Sequence, residues 1–276
     1  MKRFDLKKFR SYLKTSYLGR ECIYLDQIPS TSSYMKRISA EDLTEGTLCI
    51  TDNQTAGRGQ YRRQWNSAPF ENLTFTICFK PEKADRLPLL TMACANAVLE
   101  SLEKYMPQEF LHLKWPNDLI ACDKKIGGVL TEATFLGQHP EKVLVGIALN
   151  VIEKDFKPGI RDRAISLAQI TDKPLIREKI LAELLASIEE EYQLWSNRSI
   201  LLQRRINNRL EGYGQWVRIA LDGKLQEGTY KFIGLGTSGE LLLLNEALDV
   251  ITFRHEQIRI IPGERAVSEA APKTEK

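Results

Sequence analysis

Between His112 and Val151 the chain runs through three apolar stretches, HLKWPNDLIAC, KKIGGVLTEATFL and KVLVGIALNV, with no intervening segment long enough for a crossover helix. Parallel neighbours need a crossover of about a dozen residues or more, whereas antiparallel neighbours need only a turn. Asn-Asp, Gly and Pro punctuation separates the stretches, so they read as strands of a mostly antiparallel sheet rather than as βαβ units. CIYLDQI, TLCITD and LTFTICF add strand-like runs upstream. Pro29 to Ser33 supplies N-cap residues for a helix beginning near Ser32. Leu90, Ala93, Ala97, Leu99 and Leu102 give the following segment helical spacing, and residues 176–210 read as two helices interrupted near Ser196-Asn197. TAGRGQYRRQW reads as a long polar loop.

The character changes after Gly212, where Asp222-Gly223 and Ser238-Gly239 punctuate β-rich runs with no helical segment. The expected organisation is α+β: residues 1–211 as a catalytic domain with helices on its sheet, residues 212–263 as a small barrel, and 264–276 as a tail too polar to bury and expected to be disordered. Within the first domain, residues 1–20 form a basic extension in which Phe4, Phe9, Tyr12 and Leu13 share a face, expected to cover the sheet. No internal repeat is present.

A net charge of +3 sets up no single-sign field that would point to nucleic acid. The five cysteines (22, 49, 78, 94, 122) form no C-x-x-C pair and the histidines (112, 139, 255) lie far apart, which argues against zinc or a disulfide framework and for free thiols. The N-terminus lacks an apolar h-region, and no run of about 18 apolar residues occurs. A soluble cytoplasmic protein is expected, without membrane contact.

Two stretches carry chemistry. In Gln54-Thr55-Ala56-Gly57-Arg58-Gly59-Gln60-Tyr61-Arg62-Arg63-Gln64-Trp65, the glycines permit close backbone approach or left-handed conformations, and the arginines can grip phosphate or carboxylate in a fixed fork. The stretch suits a mobile clamp over an anion; a solvated surface loop and an RNA-binding loop are the alternatives. The second stretch is Lys114-Trp115-Pro116-Asn117-Asp118, followed by Lys124-Lys125-Ile126-Gly127-Gly128-Val129-Leu130. Trp-Pro-Asn-Asp alone is a rigid turn. A glycine pair in an apolar strand marks close approach of ligand or backbone. Lys125, just before that strand, would reach an anion over the glycines or else be a surface charge.

Together, Gly-Arg-Gly-x-x-x-Arg-x-Trp, Lys-Trp-Pro-Asn-Asp and Lys-Ile-Gly-Gly-Val-Leu-x-Glu, in this order, resemble the biotin protein ligases across residues 22–263. The resemblance implies a class II aminoacyl-tRNA-synthetase/biotin ligase-like fold with a C-terminal SH3-like barrel. It implies biotin and ATP as substrates, Mg²⁺ as cofactor, and a biotin carboxyl carrier protein of acetyl-CoA carboxylase or a related carboxylase as acceptor. By the same resemblance Ser30, Thr31 and Ser32 contact biotin, Gln54 binds its ureido group and Gly128 floors its pocket. Gly57, Arg58, Gly59, Gln60 and Arg63 form the adenylate-binding loop, Trp65 packs over the ligand, and Lys125 holds carboxylate and α-phosphate. Asn117, Asp118 and Asn150 fall near ATP and its magnesium, with no protein residue assigned as a metal ligand. Arg58, Lys125 and Asp118 are the catalytic candidates, Asp118 orienting the acceptor lysine. The chain departs from the pattern at Ser32 (Asn in relatives), Gln60 (Arg), Arg62 (Gly) and Ala148 (Gly).

Lipoate protein ligase is the rival with the same reaction type; the Lys-Trp-Pro-Asn-Asp and Lys-Ile-Gly-Gly segments favour biotin. A DNA-binding regulator is disfavoured because only 29 residues precede Ser30. A pure RNA-binding module would consume no ATP. A monomer or weak homodimer is expected. Gly234-x-Gly236-x-x-Gly239 matches the dinucleotide fingerprint, yet the strand-like run after it, Glu240-Leu-Leu-Leu-Leu, offers no helix for a pyrophosphate, so it reads as turn chemistry.

Overall fold

The computed structural model describes residues 2–197, 199–221, 223–254 and 258–262. The expected tail at 264–276, with Asp222 and His255, lies outside them.

Asp5 caps α1 (Leu6–Tyr12) by accepting from the Lys7 and Lys8 amides. Then come β1 (Cys22–Ile28), α2 (Thr31–Arg37), β2 (Leu48–Gln54), β3 (Gly57–Arg58), β4 (Gln64–Trp65), β5 (Leu73–Phe79) and α3 (Leu87–Leu102). The tight run β6 (Leu111–Lys114), β7 (Asp118–Ala121), β8 (Lys124–Leu136) and β9 (His139–Leu149) precedes α4 (Arg177–Asn197) and α5 (Ser199–Asn207). Among the described residues, seven of these nine strands build a sheet in the order β1-β2-β5-β9-β8-β7-β6, where only β1 and β2 run parallel, and β3 pairs with β4 apart from it. The helix expected near Ser32 starts at Thr31 because the Ser30 hydroxyl, one residue earlier, accepts from the Ser33 amide.

Strand alternation gives the sheet two unlike faces. Phe75, Ile77, Val129, Val145 and Ile147 point to the large apolar core shared with α3 and α4. On the other face Asp118, Gly128, Ala148, Thr74 and Thr51 pair in one row, and Leu130, Gly146, Thr76 and Cys49 in the next. Among the described helices α2 packs on this second face, through Met35 over Cys49, Cys78 and Leu144. Buried Lys142 of β9 holds that helix down by donating to the carbonyls of Met35 and Lys36 at 3.2 Å and to that of Ile38.

The N-terminal segment does cover part of the fold: Phe4 and Phe9 are buried, and α1 packs on α4. Its anchor is Asp52, whose carboxylate accepts from Arg177 at 2.7 Å, the Tyr24 hydroxyl at 2.6 Å and the Phe4 amide at 3.0 Å. Arg177 also donates to the carbonyls of Lys2 and Asn72. Burial and the neighbouring Asp52 and Asp26 push the Tyr24 phenol up, so it remains a donor.

The remaining strands are β10 (Trp216–Leu221), β11 (Lys224–Leu225), β12 (Tyr230–Leu235), β13 (Leu241–Leu244), β14 (Val250–Phe253) and β15 (Ile258–Pro262). β10 pairs with β11, β12 and β15 at once, which curls this antiparallel sheet. The five cysteines are unpaired, and no described helix is long and apolar enough to cross a membrane.

Removing one partner of a buried ion pair strands the other charge. Asp52→Ala should therefore cost about 3–5 kcal/mol of stability in urea unfolding. The double change Asp52→Leu/Arg177→Leu should lose less than the single one, and a single-variant loss below about 1 kcal/mol would contradict the anchor role.

Candidate active site

The row of small side chains is where the sheet leaves space. A Cβ on Gly146 would meet the Ser32 hydroxyl at 2.7 Å, and one on Gly128 would meet the Asn117 carbonyl oxygen at 3.5 Å. Above this floor the start of α2 carries a hydroxyl cluster: Thr31 Oγ1 lies 2.8 Å from Thr76 Oγ1, and Ser32 Oγ lies 3.1 Å from it. Gln54, at the end of β2, accepts from the Thr31 amide at 2.9 Å and hydroxyl at 3.2 Å. Gln54, Thr31 and Ser32 are thus linked around Thr76 on the face that also bears Gly128, with Ser30 serving as the helix cap. Thr76 completes this cluster and was not singled out from sequence, although the alternation of LTFTICF puts Thr74 and Thr76 on one face.

Lys125 reaches the same face through a bulge. Ile120 pairs with Lys125 while Leu119 pairs with Gly127, so Ile126 is the extra residue. Without it, Lys125 and Gly128 would point to opposite faces; with it, Lys125 Cε stands 3.6 Å from the position of a Gly128 Cβ. Lys125 accordingly lies within β8, not just before it. Its ammonium contacts the Asp118 carboxylate and sits 5.7 Å from the Trp65 ring centre. Asn117 secures the turn before Asp118, donating from its side chain to the Val129 carbonyl at 2.8 Å and accepting from the Val129 amide at 3.0 Å.

The arginine stretch is not the long loop expected from its polarity. β3 and β4 form a short hairpin, Gly57 opposite Trp65 and Arg58 opposite Gln64, closed by a 3₁₀ turn at Gln60–Arg62. Close approach is the reason for Gly57, where a Cβ would fall 2.5 Å from the Trp65 carbonyl oxygen. The left-handed residue of the turn is Tyr61 (φ 54°), whereas Gly59 is extended at φ −121°. Arg58 forms a two-pronged pair with Glu132 of β8, and Lys36 approaches the same carboxylate at 3.7 Å. Gln60 is half-buried and Arg63 exposed, its backbone accepting from the Gly59 amide, so the hairpin brings Arg58 but not the Arg63 side chain onto the floor.

A cavity of about 360 Å³ opens beside the hairpin, bounded by Gln54, Gly57, Trp65, Ser67, Glu153 and Ile160. Trp65 Nε1 is buried with no hydrogen-bond partner among the described residues. Asp155 also borders the cavity, and Glu71 nearby is held above the usual carboxylate range by burial and by repulsion from Glu153 and Asp155. Asn150 is buried, donating to the Ile165 carbonyl at 3.0 Å, and so ties down the 163–167 segment behind this wall. Among the described residues no group of three or more His, Cys, Asp or Glu could hold a metal on its own.

A floor of glycines and hydroxyls is thus flanked by an arginine hairpin and by a lysine aimed over the floor. Residues 24–150 match the Biotin/lipoate A/B protein ligase family. The bifunctional ligase/repressor BirA of Bacillus spizizenii is 30% identical over 241 residues, covering 86% of this chain and 73% of that protein. The biotin–[acetyl-CoA-carboxylase] ligase of Mycobacterium tuberculosis is 27% identical, covering 72% of this chain and 75% of its own length. The structure of the Aquifex aeolicus biotin protein ligase in complex with biotin and ATP superposes with a TM-score of 0.74 at 28% identity, over 88% of this chain and all of that one. The chain belongs to the biotin protein ligase family.

Gly146→Ala tests the floor. Overfilling a packed site by one methyl costs about 1–3 kcal/mol. The KM for biotin should rise about tenfold while kcat changes less than about threefold; an unchanged KM would mean that biotin lies elsewhere.

Proposed function

We propose that the hydroxyl-lined floor holds biotin with its carboxylate beneath Arg58 and Lys125, where ATP meets it. The chain catalyses ATP-dependent biotinylation, and its partner is a biotin carrier protein. A carboxylate oxygen attacks the α-phosphorus, the bond to pyrophosphate breaks, and biotinyl-5′-AMP forms. The acceptor lysine amine then attacks the mixed-anhydride carbonyl, AMP leaves with the bonding electrons, and the amine proton is lost.

The observation that carries this reading is the convergence of Arg58 and Lys125, from separate elements, on the face that bears Gly128 and Gly146. Two anions must be brought together, so positive charge and alignment matter more than a strong general base. Arg58 is assigned to the phosphate, and Lys125 to the carboxylate and α-phosphate. Asp118, released from Lys125 when substrate arrives, is assigned to orient the neutral acceptor amine. Trp65 and the hairpin shield the adenylate from water.

A Mg²⁺ ion bound here with ATP would supply charge neutralisation for the pyrophosphate leaving group. Such an ion needs only one or two protein carboxylates beside phosphate oxygens. Glu153 and Asp155 on the cavity wall are the oxygen donors that would hold it, and the repulsion they exert on Glu71 is the negative potential a cation would relieve. The carrier domain of acetyl-CoA carboxylase, or of a related carboxylase, is the proposed acceptor.

ATP–pyrophosphate exchange tests the scheme. Exchange should require biotin, lipoate should not replace it, and Arg58→Ala and Lys125→Ala should each lose about a hundredfold or more. Exchange that ignores biotin, or wild-type rates in both variants, would refute the assignment. Arg58→Ala should also release free biotinyl-AMP and label bystander proteins; labelling confined to one carrier would count against the shielding role.

A further inference from the structure

The Gly234-x-Gly236-x-x-Gly239 spacing spans the end of β12 and the turn into β13, a strand rather than a helix, and has a mechanical use. Gly234 (φ +112°) and Gly239 (φ +90°) occupy conformations that side chains rarely adopt. At the first, the Asn207 amide fills the place of a Cβ, while its Oδ1 accepts from the Leu235 amide at 2.9 Å. Gln203 donates to the Leu235 carbonyl, so α5 grips the base of the turn. The tip presses on α3: a Cβ on Gly239 would lie 2.6 Å from the Pro88 carbonyl carbon. The Ser238 carbonyl accepts from the Leu89 amide at 3.1 Å. This satisfies one of the free N–H groups at a helix start that has no side-chain cap.

The same tip reaches the active-site turn. Trp115 is buried, and its indole N–H donates to the Gly239 carbonyl at 3.3 Å. Two residues later Asn117 is bonded to Val129 on both its backbone and its side chain, and Asp118 meets Lys125 beside Gly128. We propose that Trp115 is a positioning residue through which the glycine turn of the C-terminal sheet sets the Asn117-Asp118 turn against Lys125. The proposal rests on the reading of that turn as part of the adenylation site. It gives the C-terminal sheet a share in the chemical step without any contact with substrate. The three glycines follow from it: one admits Asn207, one closes the turn, and one lets the backbone touch both α3 and the indole.

The test uses the full chain with Trp115→Phe, which keeps an aromatic ring but removes the donor, and Gly239→Ala, which pushes the tip off α3. Amide hydrogen exchange at Val129, whose N–H is held by Asn117, reads the turn without any substrate. Biotin-dependent ATP–pyrophosphate exchange reads the chemistry. Both variants should exchange the Val129 amide at least about fivefold faster than wild type. Trp115→Phe should lower kcat about tenfold with the KM for biotin within about twofold, and the double variant should be no slower than the worse single one. Wild-type protection at Val129 in Trp115→Phe, or a rise in the KM for biotin at unchanged kcat, overturns the proposal, as do losses that multiply in the double variant. If wild type itself shows no biotin-dependent exchange, the functional reading fails, and the Val129 measurement still decides whether the turn is held from Gly239.

Discussion

A binding site on a β-sheet face exists only where side-chain volume is withheld, and in this protein the withheld volume is one patch around Gly128, Ala148 and Gly146. Everything around the patch is arranged to keep it from collapsing. The opposite face is packed against α3 and α4 by a large buried apolar core, which braces the sheet from behind. Lys142 fixes α2 from beneath, so the hydroxyls of Thr31 and Ser32 hang at a set height over the glycines. Because a hydroxyl left unbonded in such a space is costly, the Thr31–Thr76–Ser32 cluster both preserves the opening and presents polar contacts to whatever fills it.

Charge is handled by exchange of partners. Arg58 and Lys125 stand over a half-buried floor, and each is paired to a carboxylate, Glu132 and Asp118 respectively. Both pairs are partly exposed, so each is individually weak. A phosphate or carboxylate entering the patch would therefore displace them at modest cost. The buried Asp52–Arg177 pair, by contrast, is enclosed and multiply bonded, and it serves the scaffold. The same chemical pairing plays opposite roles because burial differs.

Much of this was legible in the sequence where interactions are local. Turn residues and strand alternation are short-range signals, so the tight run β6 to β9, the two helices between 177 and 207, and the β-rich C-terminal segment follow from them. What escaped depends on partners distant in sequence. Thr76 joins the site only through the pairing of β5 with β9. The bulge at Ile126, which turns Lys125 to the working face, has no composition signal. The hairpin at 57–65 reads as a loop because charged residues hide its two cross-strand pairs; Gly57 does serve close approach, while the left-handed conformation that glycines allow falls on Tyr61.

The dinucleotide-like glycine spacing shows why a motif needs its context. Glycine marks a place where backbone must come close to something, and the sequence does not say to what. With a helix following, the partner would be a pyrophosphate; with β13 following, the partners are the start of α3 and the Trp115 indole. The two sheets are thus joined at a point where no side chain is tolerated, immediately behind the turn that lines the active site. The contact joins glycine backbone to the buried Trp115 indole, neither of which has much freedom to adjust, so displacement of the curled sheet would be transmitted to that turn. On the proposed reading, the stiffness of the turn beside Lys125 is supplied from outside the sheet that carries it.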